Sequence, residues 1–439
     1  MENGLLVYPG GEFRRHTIEE ARSLASVHIT QGISWYAAAF LLINAALGAG
    51  ILHYPFCYAE AGGIVVATAV QIVMLLLLSS TMIVLASAAD LEGDNTYHDV
   101  LRTTCGVMAQ KAAALSVLLA CYGVSVTFMV IIGDQYDRLF LSLHGSRFCD
   151  SFHLRREFTI MATSVLCILP LCFFKKLDFL KYASTLGVFV MFYPVLLTAL
   201  AFSGVSTLVD RETSLTDLLD SAIKVIPTVC FAYQTHEVVI PIYANLGRRS
   251  LGNMSLATAL CMLTLFAVYS TTGVLGYLTF GAAVRPDIMQ NFDANSPWVL
   301  LGMAALIVKM IATYPLLVVC GGKILEDMSP WASTDSRRIF LNICWFFSTL
   351  VAATTISNLA DIIEYIGALA CANIFVFPGC CLLGASLQRE RFKVKRPIPV
   401  FLFGLVLVLI GLALALLVTL HKVFSEDHSV ETLLCIPRS

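Results

Sequence analysis

The sequence predicts an all-α, polytopic membrane protein of eleven transmembrane helices, and three observations predict it. Hydrophobic residues make up 58% of the 439-residue chain and charged residues 13%, against roughly 25% charged in a soluble domain. Apolar runs long enough for a helix to span a bilayer, about 20 residues, recur with short polar connections between them. Two of these runs, five spans apart, are interrupted at their centres by glycine, proline and polar residues. Matched interruptions in corresponding halves of a membrane chain mark a five-plus-five inverted repeat.

The predicted spans cover 33–58, 62–89, 112–133, 158–174, 182–202, 222–245, 256–280, 298–321, 339–356, 362–385 and 400–420. They divide the chain into a cytosolic N-terminal segment (1–32), a membrane domain (33–421) and a short extracellular or lumenal tail (422–439). The first 32 residues carry mixed charge and no apolar core, unlike a signal peptide. With the N-terminus in the cytosol, 18 of the 28 Lys and Arg residues fall on the cytosolic side and 8 on the other. That bias sets the orientation. It places the Asn253-Met-Ser255 sequon in the cytosol, where no glycan is expected.

Several classes are excluded. The net charge of −2 gives no nucleic-acid footprint. No Walker loop, GxSxG or HExxH motif is present, so no catalytic residue is expected. Most of the 14 cysteines lie inside apolar runs without zinc spacing, so neither a metal site nor a disulfide framework is expected, and Cys149 is the clearest loop cysteine. No cofactor is predicted.

The first span reads Asn44-Ala-Ala-Leu47-Gly48-Ala49-Gly50 at its centre, with Pro55 beyond. Each glycine lowers helix stability by roughly 1 kcal/mol relative to alanine. Backbone broken at bilayer depth is tolerated where protein buries it or where it lines a watery cavity, and half-helix ends there hold ions and anionic substrate groups in secondary transporters. A kinked, glycine-rich packing face is the alternative for this stretch alone. The sixth span mirrors it. Phe231, Tyr233, Gln234, Thr235, His236 and Glu237 gather at its centre, and Pro241 follows His236 by five positions, as Pro55 follows Gly50.

Ionisable groups inside spans default to a functional hypothesis. His236 is a candidate for coupling or pH response. In the eighth span Lys309 and Thr313, four apart, share a helix face. Asn44 and Thr313 offer oxygens suited to a hard cation such as Na⁺, although a threonine hydroxyl also bonds its own i−4 carbonyl. An ammonium at Lys309 would repel such an ion or replace it. Asp134 reads as a helix-end residue. Tyr122 faces either a cavity or a packing surface.

Six motifs in order carry a resemblance: Asn44 to Leu52, Ile131-Ile-Gly-Asp-Gln135, Lys181-Tyr-Ala-Ser184, Phe231 to His236 with Pro241-Ile-Tyr243, Gly276-Tyr-Leu-Thr-Phe-Gly281 and Phe375-Val-Phe-Pro-Gly379. The chain resembles the sodium-coupled neutral amino acid transporters of the amino acid/auxin permease superfamily, its second and third motifs being most similar to the glutamine-transporting branch. The resemblance implies a leucine-transporter-like fold in which ten helices form the repeat. It implies Na⁺ symport of a small neutral amino acid, often with pH sensitivity. No sorting motif separates the plasma membrane from the lysosomal membrane as its location. It carries Asn44 and Thr313 over as cation ligands. Gly48, Ala49 and Gly50 become the cradle of the substrate carboxylate, and Phe231, Tyr233, Gln234 and His236 the facing wall, with Asn44, Leu47 and Tyr122 as further substrate-binding candidates. The chain departs from the family pattern at Thr235, where cysteine is common, and at Lys309, where uncharged residues are usual. Lys309 therefore opens an alternative of proton-coupled or uncoupled transport. A membrane amino acid sensor, with the N-terminal segment as its partner-binding arm, is a third reading.

Overall fold

A computed structural model describes residues 32–145, 151–173, 178–202, 215–328, 334–356 and 358–424. The expected N-terminal arm, Cys149 and most of the tail fall outside the described residues, and for Lys181 to Ser184 only the helical backbone is described. Among the described residues every regular element is a helix. In chain order these are α1 (Trp35–Ala46), α2 (Gly50–Glu60), α3 (Ile64–Ala89), α4 (Tyr97–Cys105), α5 (Val107–His144), α6 (Arg156–Thr163), α7 (Asp178–Ala201), α8 (Leu215–Tyr233), α9 (His236–Ala244), α10 (Leu251–Phe280), α11 (Pro297–Met328), α12 (Asp335–Thr355), α13 (Leu359–Cys371), α14 (Phe377–Leu387), α15 (Arg389–Phe392) and α16 (Pro397–Phe424).

Among the described residues, seven helices are long and apolar enough to cross a membrane, and the bent pair α1–α2 makes an eighth. The predicted fourth, fifth and sixth spans are present as helical segments, but as described they fall short of that length and apolarity. Leu76, Leu166, Leu263 and Leu409 point outward from their helices, which suits a surface facing acyl chains rather than water.

Local chemistry sets the boundaries. Ser34 caps α1 by accepting from the Ala37 N–H at 3.4 Å, Thr96 caps α4 from Asp99 at 3.2 Å, and Ser250 caps α10 from Asn253 at 3.2 Å. Gly106, at φ +92°, turns the chain from α4 into α5, a conformation that glycine adopts without strain. Two π-turns, Ser164–Ile168 and Ala372–Val376, each end two residues before a proline, Pro170 and Pro378. The wider turn absorbs the carbonyls that the missing proline N–H leaves unpaired.

Close approach does the rest. A Cβ at Gly276 would lie 2.6 Å from Pro55, and one at Gly302 2.5 Å from Tyr193. Small residues let helix backbones approach where lipid supplies no hydrophobic drive. At their starts and ends the two broken spans are tied together. Ile33 donates to Asn245 O and Gly247 donates back to Ile33 O, both at 2.9 Å.

Candidate functional site

The centre of the molecule is where the two breaks meet. The first runs from Leu47 to Ala49, and α2 leaves it at 67° to α1. Leu47 adopts an extended backbone (φ −68°, ψ 93°). The second break is Gln234–Thr235. α2 begins at Gly50 and α9 at His236, each five residues before its proline, so the correspondence read from the sequence holds to the residue. Gly50 lets the breaks touch: a Cβ there would lie 2.7 Å from Ala232 Cβ and 3.6 Å from Phe231.

Helix breaks expose carbonyls that need partners. Tyr269 of α10 supplies one hydroxyl to both. Its Oη lies 2.8 Å from Ala46 O and 3.1 Å from Ala232 O. Its ring stacks on Tyr54 at 4.7 Å between centroids and meets Tyr233 edge-on at 5.2 Å. Gln71 of α3 extends this buried network. Its Nε2 donates to Tyr233 Oη at 2.8 Å, while Tyr58 and Ser270 donate to its Oε1 at 2.9 and 3.1 Å.

The remaining predicted residues divide. Lys309 is buried, with its Nζ 3.5 Å from Leu47 O and 5.8 Å from the Phe128 ring centre. Its stem runs past Gly187 of α7, where a Cβ would stand 3.0 Å from Lys309 Cγ. The ammonium thus sits against a carbonyl of the first break. Thr313 donates to Lys309 O at 2.8 Å, the i−4 bond weighed in the sequence reading. Asn44 is half-buried on α1. Tyr122, also half-buried, packs edge-on against Trp345 at 5.4 Å.

His236 is buried and faces α3. Its Nε2 lies 2.9 Å from Thr81 Oγ1, and that hydroxyl lies 2.9 Å from Leu78 O. With the threonine proton spent on Leu78, the histidine donates through Nε2 and leaves Nδ1 bare. Gln234 reaches Glu237 at 3.5 Å.

A family model described as transmembrane amino acid transporter protein matches residues 31–423. The chain belongs to that family. The transporter is 32% identical over 378 residues to "Sodium-coupled neutral amino acid transporter 7" of Danio rerio, covering 82% of this chain and 80% of the relative. It is 33% identical over 371 residues to "Solute carrier family 38 member 8" of Homo sapiens, covering 80% and 85%. The solved structure of MhsT in complex with L-phenylalanine superposes with a TM-score of 0.59 at 14% identity, covering 89% of this chain and 99% of that one. That likeness establishes the fold, an all-helical leucine-transporter-like architecture. The chain is an integral, multi-pass amino acid transporter and not an enzyme.

Three parts of the transporter's centre escaped the sequence reading. Tyr269 and Gln71 look like ordinary packing residues inside their spans, and Gly187 like one glycine among 28. A tyrosine hydroxyl or glutamine amide at bilayer depth was the available signal, because each must find a partner there.

Proposed function

We propose that this transporter moves a small, neutral, glutamine-like amino acid by alternating access, with Lys309 standing where a coupling cation would otherwise bind. The observation that carries this is the Lys309 ammonium 3.5 Å from Leu47 O. A cation at the first-span break would draw on that carbonyl. Two unit charges about 4 Å apart repel by about 4 kcal/mol at an effective dielectric of 20. A sodium ion and a charged Lys309 therefore compete for one place. The Gly48–Gly50 backbone at the start of α2 suits a substrate carboxylate. The facing side is Phe231 to Gln234. In this reading the N-terminus is cytosolic, and the 281–296 segment lies on the outer or lumenal side of the plasma or lysosomal membrane.

The second reading is sodium symport through Asn44 and Thr313, with Lys309 displaced. It is favoured by the relatives named sodium-coupled. Radiolabelled glutamine uptake into proteoliposomes, in Na⁺ or choline at two pH values, separates the two. Uptake that persists in choline is expected. A strict Na⁺ requirement would overturn the role of Lys309, and amino acid binding without flux would favour a sensor.

A further inference from the structure

The Ile-Gly-Asp-Gln motif of α5 has no part in the central site, yet it lies in a densely built charged cluster. Arg156, at the start of α6, donates to Asp134 at 2.5 Å, to Asp137 at 3.1 Å and to Val130 O at 3.0 Å. Gly133 makes room for this guanidinium, since a Cβ there would lie 3.0 Å from Arg156 Cζ. The next residue along, Gln135, reaches Asp287 Oδ2 at 2.6 Å, and Asp287 Oδ1 accepts from the Met289 N–H at 2.9 Å. Asp134, Gln135, Asp137, Arg156 and Asp287 are all buried.

Asp287 belongs to the 281–296 segment between α10 and α11. That segment is held by two helices, α2 and α5. His53 of α2 bonds Pro286 O through Nδ1 at 2.9 Å, and Arg138 of α5 donates to Phe292 O at 2.8 Å. Lifting the segment would break the Gln135–Asp287 contact.

The cluster holds three carboxylates and one guanidinium. Arg138 faces the same segment but spends its donors on Phe292 O, while Arg285 and Asp293 lie beside Arg138, and Glu157 faces Asp137. A sealed group with two unpaired negative charges is costly, and a proton on one carboxyl relieves it. Asp287 is the carboxyl without a guanidinium bond. Its 2.6 Å contact with Gln135 is short for N–H···O and ordinary for O–H···O. Glutamine presents an acceptor there after a half-turn of its amide, and Gln135 Oε1 is without a partner among the described residues.

We propose that Asp287, held by Gln135 beside the Asp134–Arg156–Asp137 triad, is a proton-binding site that locks the 281–296 segment over the outer end of the transport path. Burial, and then the Asp134 charge, pushes the Asp287 carboxyl from its ordinary 3.8 up to about 8. In the opened segment Asp287 meets water and returns toward the ordinary value. Closure therefore takes up a proton between those limits. The closed form is favoured below about pH 8 and loses that advantage as pH rises through it.

The proposal rests on the alternating-access reading for the meaning of "outer", but its test reads the segment itself. Ala294 belongs to the segment and is buried in its closed position. Ala294→Cys in the full-length chain in proteoliposomes is labelled from outside with a membrane-impermeant maleimide at pH 6 to 9. The signal is read as the excess over the parent chain. The same substitution with Asp287→Asn corrects for ionisation of the thiol. The expected result is labelling that rises at least about tenfold more with pH in the Asp287 protein than in the Asp287→Asn protein, where it rises only as the thiol ionises. Identical pH profiles overturn the proposal. Asp134→Asn with Ala294→Cys gives a second measurement should Asp287→Asn fail to fold. Removing the neighbouring charge must move the midpoint to lower pH, and an unmoved midpoint also overturns the proposal. Glutamine uptake measured alongside shows whether transport fails separately.

Discussion

The first and sixth spans break in the same register and use the break differently. Both second halves begin five residues before a proline, at Gly50 and His236. In the first break the backbone carbonyls of Ala46 and Leu47 meet partners from distant helices, the Tyr269 hydroxyl and the Lys309 ammonium. In the sixth, His236 turns away toward Thr81, and only Ala232 O shares Tyr269 with the other side. The repeat duplicates the interruption and leaves the chemistry to side chains outside it. One break is open to charge, and the other is anchored to its neighbouring helix.

The most damaging way to break this comparison is at the point of contact. Gly50→Val puts branched carbons where even a Cβ would stand 2.7 Å from Ala232. Overpacking of this kind costs about 1–3 kcal/mol, and here it drives apart the two breaks that define the site. Uptake should fall at least tenfold with protein still in the membrane. Near-normal uptake from Gly50→Val would show that the breaks need not touch.

Lys309→Thr comes next and sharpens the difference between the breaks. Removing the ammonium frees Leu47 O and leaves a short neutral side chain on α11. Uptake in choline should drop several-fold, and a Na⁺ dependence should appear that the parent lacks. If the Na⁺ response of the variant matches the parent, Lys309 has no part in coupling. His236→Gln should do less, because a glutamine amide can still donate to Thr81. His236→Ala leaves the Thr81 acceptor unpaired, a loss of about 1–3 kcal/mol. Thermal unfolding of the two variants in detergent should differ accordingly, and equal midpoints would argue that the His236 anchor contributes nothing.

Tyr269→Phe keeps the ring stack on Tyr54 and removes the shared hydroxyl. One missing donor leaves two buried carbonyls short of a partner, again about 1–3 kcal/mol of destabilisation. This residue shows why the sequence was readable only in part. Breaks announce themselves locally, through Gly48, Gly50, Pro55, Pro227 and Pro241, because glycine and proline weaken helices wherever they occur. Partners of a break are set by packing between helices far apart in the chain: Tyr269 lies 223 positions from Ala46, and Lys309 262 from Leu47. Lys309 was legible because a charge inside a span is rare. Tyr269 was not, because an aromatic residue there is usually packing. Asp134 misled for a related reason. Gly133 suggested that the helix stops there and leaves Asp134 solvated, but α5 continues to His144 and buries it against Arg156.

The smallest expected effect distinguishes the two coupling readings. Thr313 spends its proton on Lys309 O at 2.8 Å, and a bond of this kind contributes little to a helix. Thr313→Ala alone should therefore change glutamine uptake less than about twofold, and Na⁺ response not at all, while Lys309 holds the first break. With Lys309→Thr in the background, the same substitution should weaken apparent Na⁺ affinity more than amino acid affinity, because no ammonium then excludes an ion that the Thr313 oxygen could help to hold. The two substitutions should thus be non-additive, as groups sharing one site are. Additive effects would separate Thr313 from the place that Lys309 occupies. A Na⁺ effect of Thr313→Ala in the parent chain would return the first break to sodium and leave Lys309 a neighbour of the ion.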